Sequence, residues 1–199
     1  DWEEKTLGEI GKVSMCKRIL KKDTSPSGEI PFYKIGTFGK KPNAFISREK
    51  YDEFRSKYSF PKVGDVLLSA SGTIGRRVIF DGKPGYFQDS NIVWIDNNGD
   101  IVLNEFLNEF YGYCDWNPSK GATISRLYND DLRRIKISYP KSKEEQKQIV
   151  EKLDALSLET KKLESIYTQK LADLEEMKKS ILQKAFSGKL AIDNEILTA

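Results

Sequence analysis

The chain has 199 residues, of which 38% are hydrophobic and 32% charged, with 33 Lys and Arg against 30 Asp and Glu for a formal net charge of +3. That length carries one domain with a proper core, or one domain plus an extension, and no apolar run approaches the roughly 20 residues that a membrane-spanning helix needs. His is absent and Cys16 and Cys114 are the only cysteines, so no zinc site of ordinary Cys and His spacing can be assembled, and the usual general base for a Ser or Cys nucleophile is missing.

Asp1-Trp2-Glu3-Glu4 offers neither a basic n-region nor an apolar h-region, so no secretory signal is expected, and the missing initiator Met points to a trimmed or excised piece. Two unpaired thiols without an export signal fit a reducing cytoplasm.

Taken in chain order, the first 140 residues are punctuated every few positions by Gly, Pro, Asn or Asp, and their apolar runs are short and β-branched or aromatic. The pattern predicts strands at Phe32 to Ile35, Val63 to Ser69, Arg77 to Phe80, Ile92 to Ile95 and Arg134 to Ser138. Asp81-Gly82, after the third of these, is a tight-turn dipeptide. Ser47 can cap a helix from Arg48 to Lys57 that aligns Tyr51, Phe54 and Tyr58 on one face. Asn104 can cap a second, carrying Phe106, Leu107 and Phe110. Both aromatic stripes are read as core.

Beyond Pro140 the pattern changes. No Gly or Pro occurs from Ser142 until Gly188, and Ser142 with Glu145 three residues on matches a capping box. A single helix over residues 143 to 187 would be about 67 Å long. Its apolar residues follow a 3-4 spacing: Ile149, Leu156, Leu163 and Met177 fall at position a, and Leu153, Tyr167, Leu174 and Ile181 at d. That spacing makes a coiled-coil seam, in which Lys170 and Thr160 can fix register. Ile166, Leu171, Leu182, Ala185 and Phe186 widen the stripe. The expected architecture is therefore α+β: residues 1 to 141 as a mixed, twisted β-sheet domain with short helices, 142 to 188 as a long coiled-coil helix, and 189 to 199 as a tail.

Charge is unevenly placed. Residues 1 to 140 hold 22 basic and 19 acidic side chains and residues 141 to 199 hold 11 of each, while residues 16 to 62 alone hold 12 against 5. Such a concentration is the electrostatic footprint of a nucleic-acid-binding face. Lys17, Arg18, Lys21, Lys22, Lys40, Lys41, Arg76, Arg77 and Lys120 lie in or beside predicted loops, where they can reach phosphates. Ser71, Thr73, Asn43 and Arg126 are of the types that read base edges.

Catalytic motifs are not found. Ser71-Gly72-Thr73-Ile74-Gly75-Arg76 lacks the spacing and the lysine of a phosphate-binding P-loop, and the strand expected after it is not the helix that a nucleotide fingerprint requires. Asn117-Pro118-Ser119-Lys120 lacks the second proline and the aromatic of an adenine methyltransferase motif. Glu145-Gln146-Lys147 lies on the long helix without an upstream partner acid, as a solvated face would, and Asp130-Asp131 suits the start of a helix or turn.

The ordered set of short motifs is nonetheless specific. Trp2 to Ile10, Ile30-Pro31-Phe32-Tyr33, Gly64-Asp65-Val66-Leu67-Leu68-Ser69, Gly72-Thr73-Ile74-Gly75, Gln88 to Ile92, Gly121-Ala122-Thr123, Glu145 to Val150 and Ser180 to Leu190 together resemble the specificity subunit of type I restriction-modification systems over nearly the whole chain. The resemblance implies a non-catalytic subunit built from a target-recognition domain and a conserved helical spacer. It implies double-stranded DNA as ligand, with S-adenosylmethionine used by methylation subunits and ATP with Mg by restriction subunits rather than by this chain. Complete family members carry two recognition domains and this sequence carries one. The long helix then serves either a homodimer or the second half of the same subunit, reading one half of a bipartite target. The rival readings are a coiled-coil interaction module whose β domain binds protein, and a nuclease or methyltransferase in its own right.

Overall fold

The computed structural model describes residues 1–116 and 125–189. Its elements are β1 (Trp2–Thr6), α1 (Leu7–Ile10), β2 (Lys12–Ser14), β3 (Ile30–Tyr33), β4 (Phe45–Ile46), α2 (Arg48–Lys57), β5 (Val66–Ser69), β6 (Arg77–Ile79), β7 (Tyr86–Phe87), β8 (Ile92–Asp96), α3 (Asn104–Tyr113), α4 (Asn129–Arg134), β9 (Lys136–Pro140) and α5 (Lys143–Phe186). They form the expected α+β arrangement with a 44-residue C-terminal helix. Residues 1–151 make one compact unit, and a second begins at Lys152.

The centre of the first unit is an antiparallel sheet of order β2-β8-β5-β6. Strands β5 and β8 are runs of apolar residues without polar alternation, which is how a strand covered on both faces reads. Period-2 side-chain direction divides them between two cores. Val66, Leu68, Val93 and Ile95 pack with Leu7, Leu107, Leu132 and Ile137 on one face. Leu67, Ile92 and Trp94 pack with Ile30, Phe32, Tyr51 and Tyr86 on the other. Each such side chain, fully buried, contributes roughly 1.5 to 3 kcal/mol, so the sheet's position is fixed from both sides.

Around this centre, β1 pairs antiparallel with β9 from Trp2 opposite Pro140 to Thr6 opposite Lys136. A third sheet of order β4-β3-β7 contains a parallel pair, with Tyr33 opposite Phe87. The register stacks those two rings at 5.7 Å. This pair makes the fold mixed, as expected. Strands β1, β2, β4 and β7 escape the sequence pattern because β1 is mostly polar and the other three are only two or three residues long.

Helix α2 begins where the sequence places it, the Lys50 amide donating to Ser47 Oγ at 3.2 Å. Tyr51 is buried, but Tyr58 lies past the helix end in extended backbone and is exposed. Helix α3 differs by one residue: Leu103 is its N-cap. Asn104 instead accepts from Asn97 Nδ2 at 3.0 Å and donates to Asp65 Oδ1 at 3.3 Å. The Lys62 amide holds the other oxygen of Asp65 at 2.8 Å.

Asp65 is buried, and this burial pushes its carboxyl above the ordinary value of 3.8 against the hydrogen bond from the Lys62 amide. The native state thus binds this proton more tightly than the unfolded chain does. The contribution of Asp65 to stability is greatest at low pH and declines as pH rises from about 3.8 through the raised native value. Asp65→Asn cannot ionise. Its stability relative to the parent chain is expected to improve in urea titrations as pH rises from about 3.8 through the raised native value. A difference that stays flat with pH would show that the carboxyl is not desolvated.

The start of α5 belongs to the first unit. Ser142 Oγ accepts from the Glu145 amide at 3.3 Å, and Ile149 and Val150 pack against the core of the sheet's first face. Between them Gln146 is wholly buried. Glu145-Gln146-Lys147 is therefore not simply a solvated face. Gln146 Oε1 accepts from the Leu103 amide at 2.9 Å, while Nε2 donates to the carbonyls of Ile101 at 3.0 Å and Pro140 at 2.8 Å.

Candidate nucleic-acid interface

The loop from Ser69 to Arg76 closes on one hydroxyl. Ser69 Oγ donates to the Thr73 carbonyl at 2.5 Å and accepts from the Arg76 amide at 2.9 Å. Backbone bonds between Ser69 and both Arg76 and Gly75 complete the closure. Gly75 is required twice over, since its φ is +79° and a Cβ there would overlap the Trp116 indole. The amides of Ser69, Ala70, Gly72, Gly75 and Arg76 are bonded within the loop or to neighbouring backbone, so this loop is built as a turn and not as a phosphate cradle.

A second turn, Gln88-Asp89-Ser90-Asn91 between β7 and β8, joins that loop to its surroundings. Gln88 Oε1 accepts from the Ile35 amide at 3.0 Å, and Asp89 Oδ2 accepts from Arg18 Nε at 2.9 Å. The Ser90 carbonyl accepts from Arg126 Nη2 at 3.1 Å, and Asn91 Oδ1 accepts from Ser71 Oγ at 2.8 Å. Ser90 holds φ at +59°, the one non-glycine residue in that region among those described. Backbone strain of about 1 to 3 kcal/mol persists only where the surroundings over-determine it, as four anchoring bonds do here.

These two turns decide which expected contact residues come together. Arg18, Lys21, Lys34 and Arg126 line one cleft of about 330 Å³, with Asp89 as its carboxylate. Lys17 and Lys22 are exposed beside it, Lys17 Nζ lying 5.1 Å from the centre of the Tyr58 ring. A shallower depression next to it is lined by Ser71, Thr73 and Arg76. Thr73 is exposed, whereas Ser71 is buried and its hydroxyl is engaged by Asn91. Arg76 is half-buried and donates through Nη1 to the Phe38 carbonyl at 3.2 Å. Arg77 lies on β6 with its guanidinium packed against Gly112 of α3. Lys40 lines a separate pocket beside Tyr33, Phe38 and Lys83, and Lys41 is exposed next to it. Lys120 lies outside the described residues.

Sequence reasoning missed Lys34 and gave no role to Gln88, Asp89 and Asn91. The available signal was four consecutive polar residues between two buried apolar strands, a placement that needs a structural reason. On the long helix, Ile149 packs into the first unit's core, while Leu153, Leu156, Leu163, Tyr167, Leu174, Met177 and Ile181 are exposed.

Among the described residues no three His, Cys, Asp or Glu are grouped to hold a metal ion. Burial pushes the Cys16 thiol up to about 12 and the Cys114 thiol up to about 11, so neither is a thiolate nucleophile near neutral pH. No helix among the described residues is long and apolar enough to cross a membrane.

A β domain with a cationic cleft is thus followed by a long helix bearing an exposed apolar stripe. Residues 1–176 match the family model of the type I restriction modification DNA specificity domain, and the chain belongs to that family. It is 59% identical over 153 residues to a type I restriction enzyme specificity subunit of Haemophilus influenzae, covering 76% of this chain and 40% of that protein. The fold is shared with a chain of a type I restriction-modification system solved for its assembly and conformational transition, at a TM-score of 0.71 and 22% identity. It is also shared with the HsdS subunit of Thermoanaerobacter tengcongensis, at 0.65 and 22% identity. Both alignments cover 95% of this chain and 46% of the other. The chain thus spans less than half the length of the relatives it matches. The family supplies specificity to type I systems and is not catalytic.

Proposed function

We propose that this chain reads one half of a bipartite DNA target for a type I restriction-modification complex, in the cytoplasm, and docks the methylation and restriction subunits that carry the chemistry. S-adenosylmethionine and ATP with Mg belong to those partners. The observation that carries the reading is the cleft in which Arg18, Lys21, Lys34 and Arg126 converge beside a single carboxylate, because such a surface favours a polyanion. The test is to express the chain with methylation subunits and sequence the methylated adenines. A split sequence motif that changes when the first 140 residues are exchanged is the expected result. Methylation that ignores such an exchange would refute it.

The exposed stripe of α5 serves a second helix of the same kind, in a homodimer or in the other half of a longer subunit. Leucines exposed at regular spacing along a helix support this, since they bury apolar area only against a partner. Leu163→Lys is expected to weaken self-association at least 10-fold in sedimentation equilibrium, as a charge set into an apolar seam does. A parent chain that is already monomeric at high concentration would exclude the homodimer.

A further inference from the structure

We infer that Arg18 is a base-reading side chain, held by Asp89 so that it takes a guanine, while the lysines of the same cleft take phosphates. The inference rests on the DNA-recognition reading above and assigns roles within it.

The Arg18 backbone is pinned on both sides. Cys16 and Ile19 are buried in the core of the sheet's second face, and the Lys17 carbonyl accepts from Tyr86 Oη at 3.0 Å. The side chain is held in turn: Arg18 Nε donates to Asp89 Oδ2 at 2.9 Å, with the guanidinium side chain 68% exposed and the carboxylate side chain only 15% exposed. Ser90 Oγ lies 3.4 Å from the same carboxylate oxygen. The Gln88 amide beside it donates to the Tyr33 carbonyl at 2.9 Å.

A guanidinium tied through Nε keeps its Nη1 and Nη2 edge for a ligand, and that planar fork matches O6 and N7 of guanine in the major groove. Holding the fork in advance removes the rotamer entropy that a free arginine loses on binding. Charge separates this role from phosphate binding. An arginine at 2.9 Å from a carboxylate is nearly neutral as a pair and attracts a phosphate weakly, but its hydrogen-bond geometry for a base edge is intact. Lys21 and Lys34 line the same cleft and form no ion pair among the described residues. Their full charge suits phosphates.

The test is selection from a random-sequence duplex library, with the chain alone and with a methylation subunit added, comparing the parent with Arg18→Ala, Asp89→Ala and Lys21→Ala. The parent is expected to enrich a half-site with guanine at one position, and Arg18→Ala to lose that preference by about 5- to 100-fold while keeping the other positions. Asp89→Ala relaxes the same position and no other. Lys21→Ala weakens all sequences evenly and lowers the salt slope by about 1. If Arg18→Ala behaves as Lys21→Ala should, Arg18 is a phosphate contact and the inference fails while DNA recognition stands. Loss at other positions for Asp89→Ala, or no effect, overturns the positioning role. A parent chain that enriches no sequence in either condition overturns the inference and the recognition reading together.

Discussion

Gln146→Ala is expected to destabilise the first unit by about 3 kcal/mol, lowering its melting temperature by roughly 6 to 12 °C in calorimetry. The size follows from saturation. The carboxamide has one acceptor oxygen and two N–H donors, and each meets a backbone group: the Leu103 amide and the carbonyls of Ile101 and Pro140. Truncation strands these groups in a site that is fully closed to solvent, and each unsatisfied buried group costs about 1 to 3 kcal/mol. The three losses do not add fully, because the backbone relaxes around the gap. Gln146→Glu is expected to be worse than Ala at neutral pH, since its second oxygen would face two carbonyls and carry charge into a buried site. A Gln146→Ala melting curve that superimposes on the parent curve would show that water or neighbouring groups replace all three bonds. Gln146 ties the β9 end and the loop before α3 to the first turn of α5.

Replacing Lys21, Lys22 and Lys34 together with Ala is expected to lower the slope of log affinity against log salt for duplex DNA by about 2.7, close to 0.9 per lost phosphate contact. Between 50 and 200 mM salt the parent chain would then lose about 40-fold more affinity than the triple variant. Fluorescence anisotropy with a labelled duplex measures this directly. The substitution leaves the fold alone: in the described residues none of the three ammonium groups makes a hydrogen bond or ion pair, and the hydrogen bonds of Lys21 and Lys34 there are backbone bonds. An unchanged slope would move the DNA surface away from this cleft. The pocket bearing Lys40 and Lys83 is then the next surface to test by the same substitution series.

The two turns at the candidate interface show the difference between local and distant information. The turn from Ser69 to Arg76 was legible as a turn, because Gly72 and Gly75 fall between two apolar strands and both adopt positive φ. What its side chains do was not legible. Ser71 belongs to the residue types that read bases, but it is turned inward onto Asn91, twenty residues away. Arg77 alternates with its neighbours on β6 and faces α3, a consequence of strand register that the Arg76-Arg77 pair does not disclose. Asp89 is one acidic residue in a loop until β3 and β7 pair in parallel and bring it to Arg18, 71 positions earlier.

Elements with local signals were readable along the chain. The sequence settled the cap of α2 at Ser47, the strands β5 and β8 from their apolar runs, the 44-residue helix from its uninterrupted period, and the family from the order of its motifs. Which cations share a cleft, and which carboxylate neutralises one of them, depends on contacts between distant segments. So does the place of Gln146 as an internal fastener and not part of a solvated face. The difference is one of range: capping and periodicity act over a few residues, whereas a binding surface is assembled by strand pairings between segments tens of residues apart, whose register local sequence does not encode.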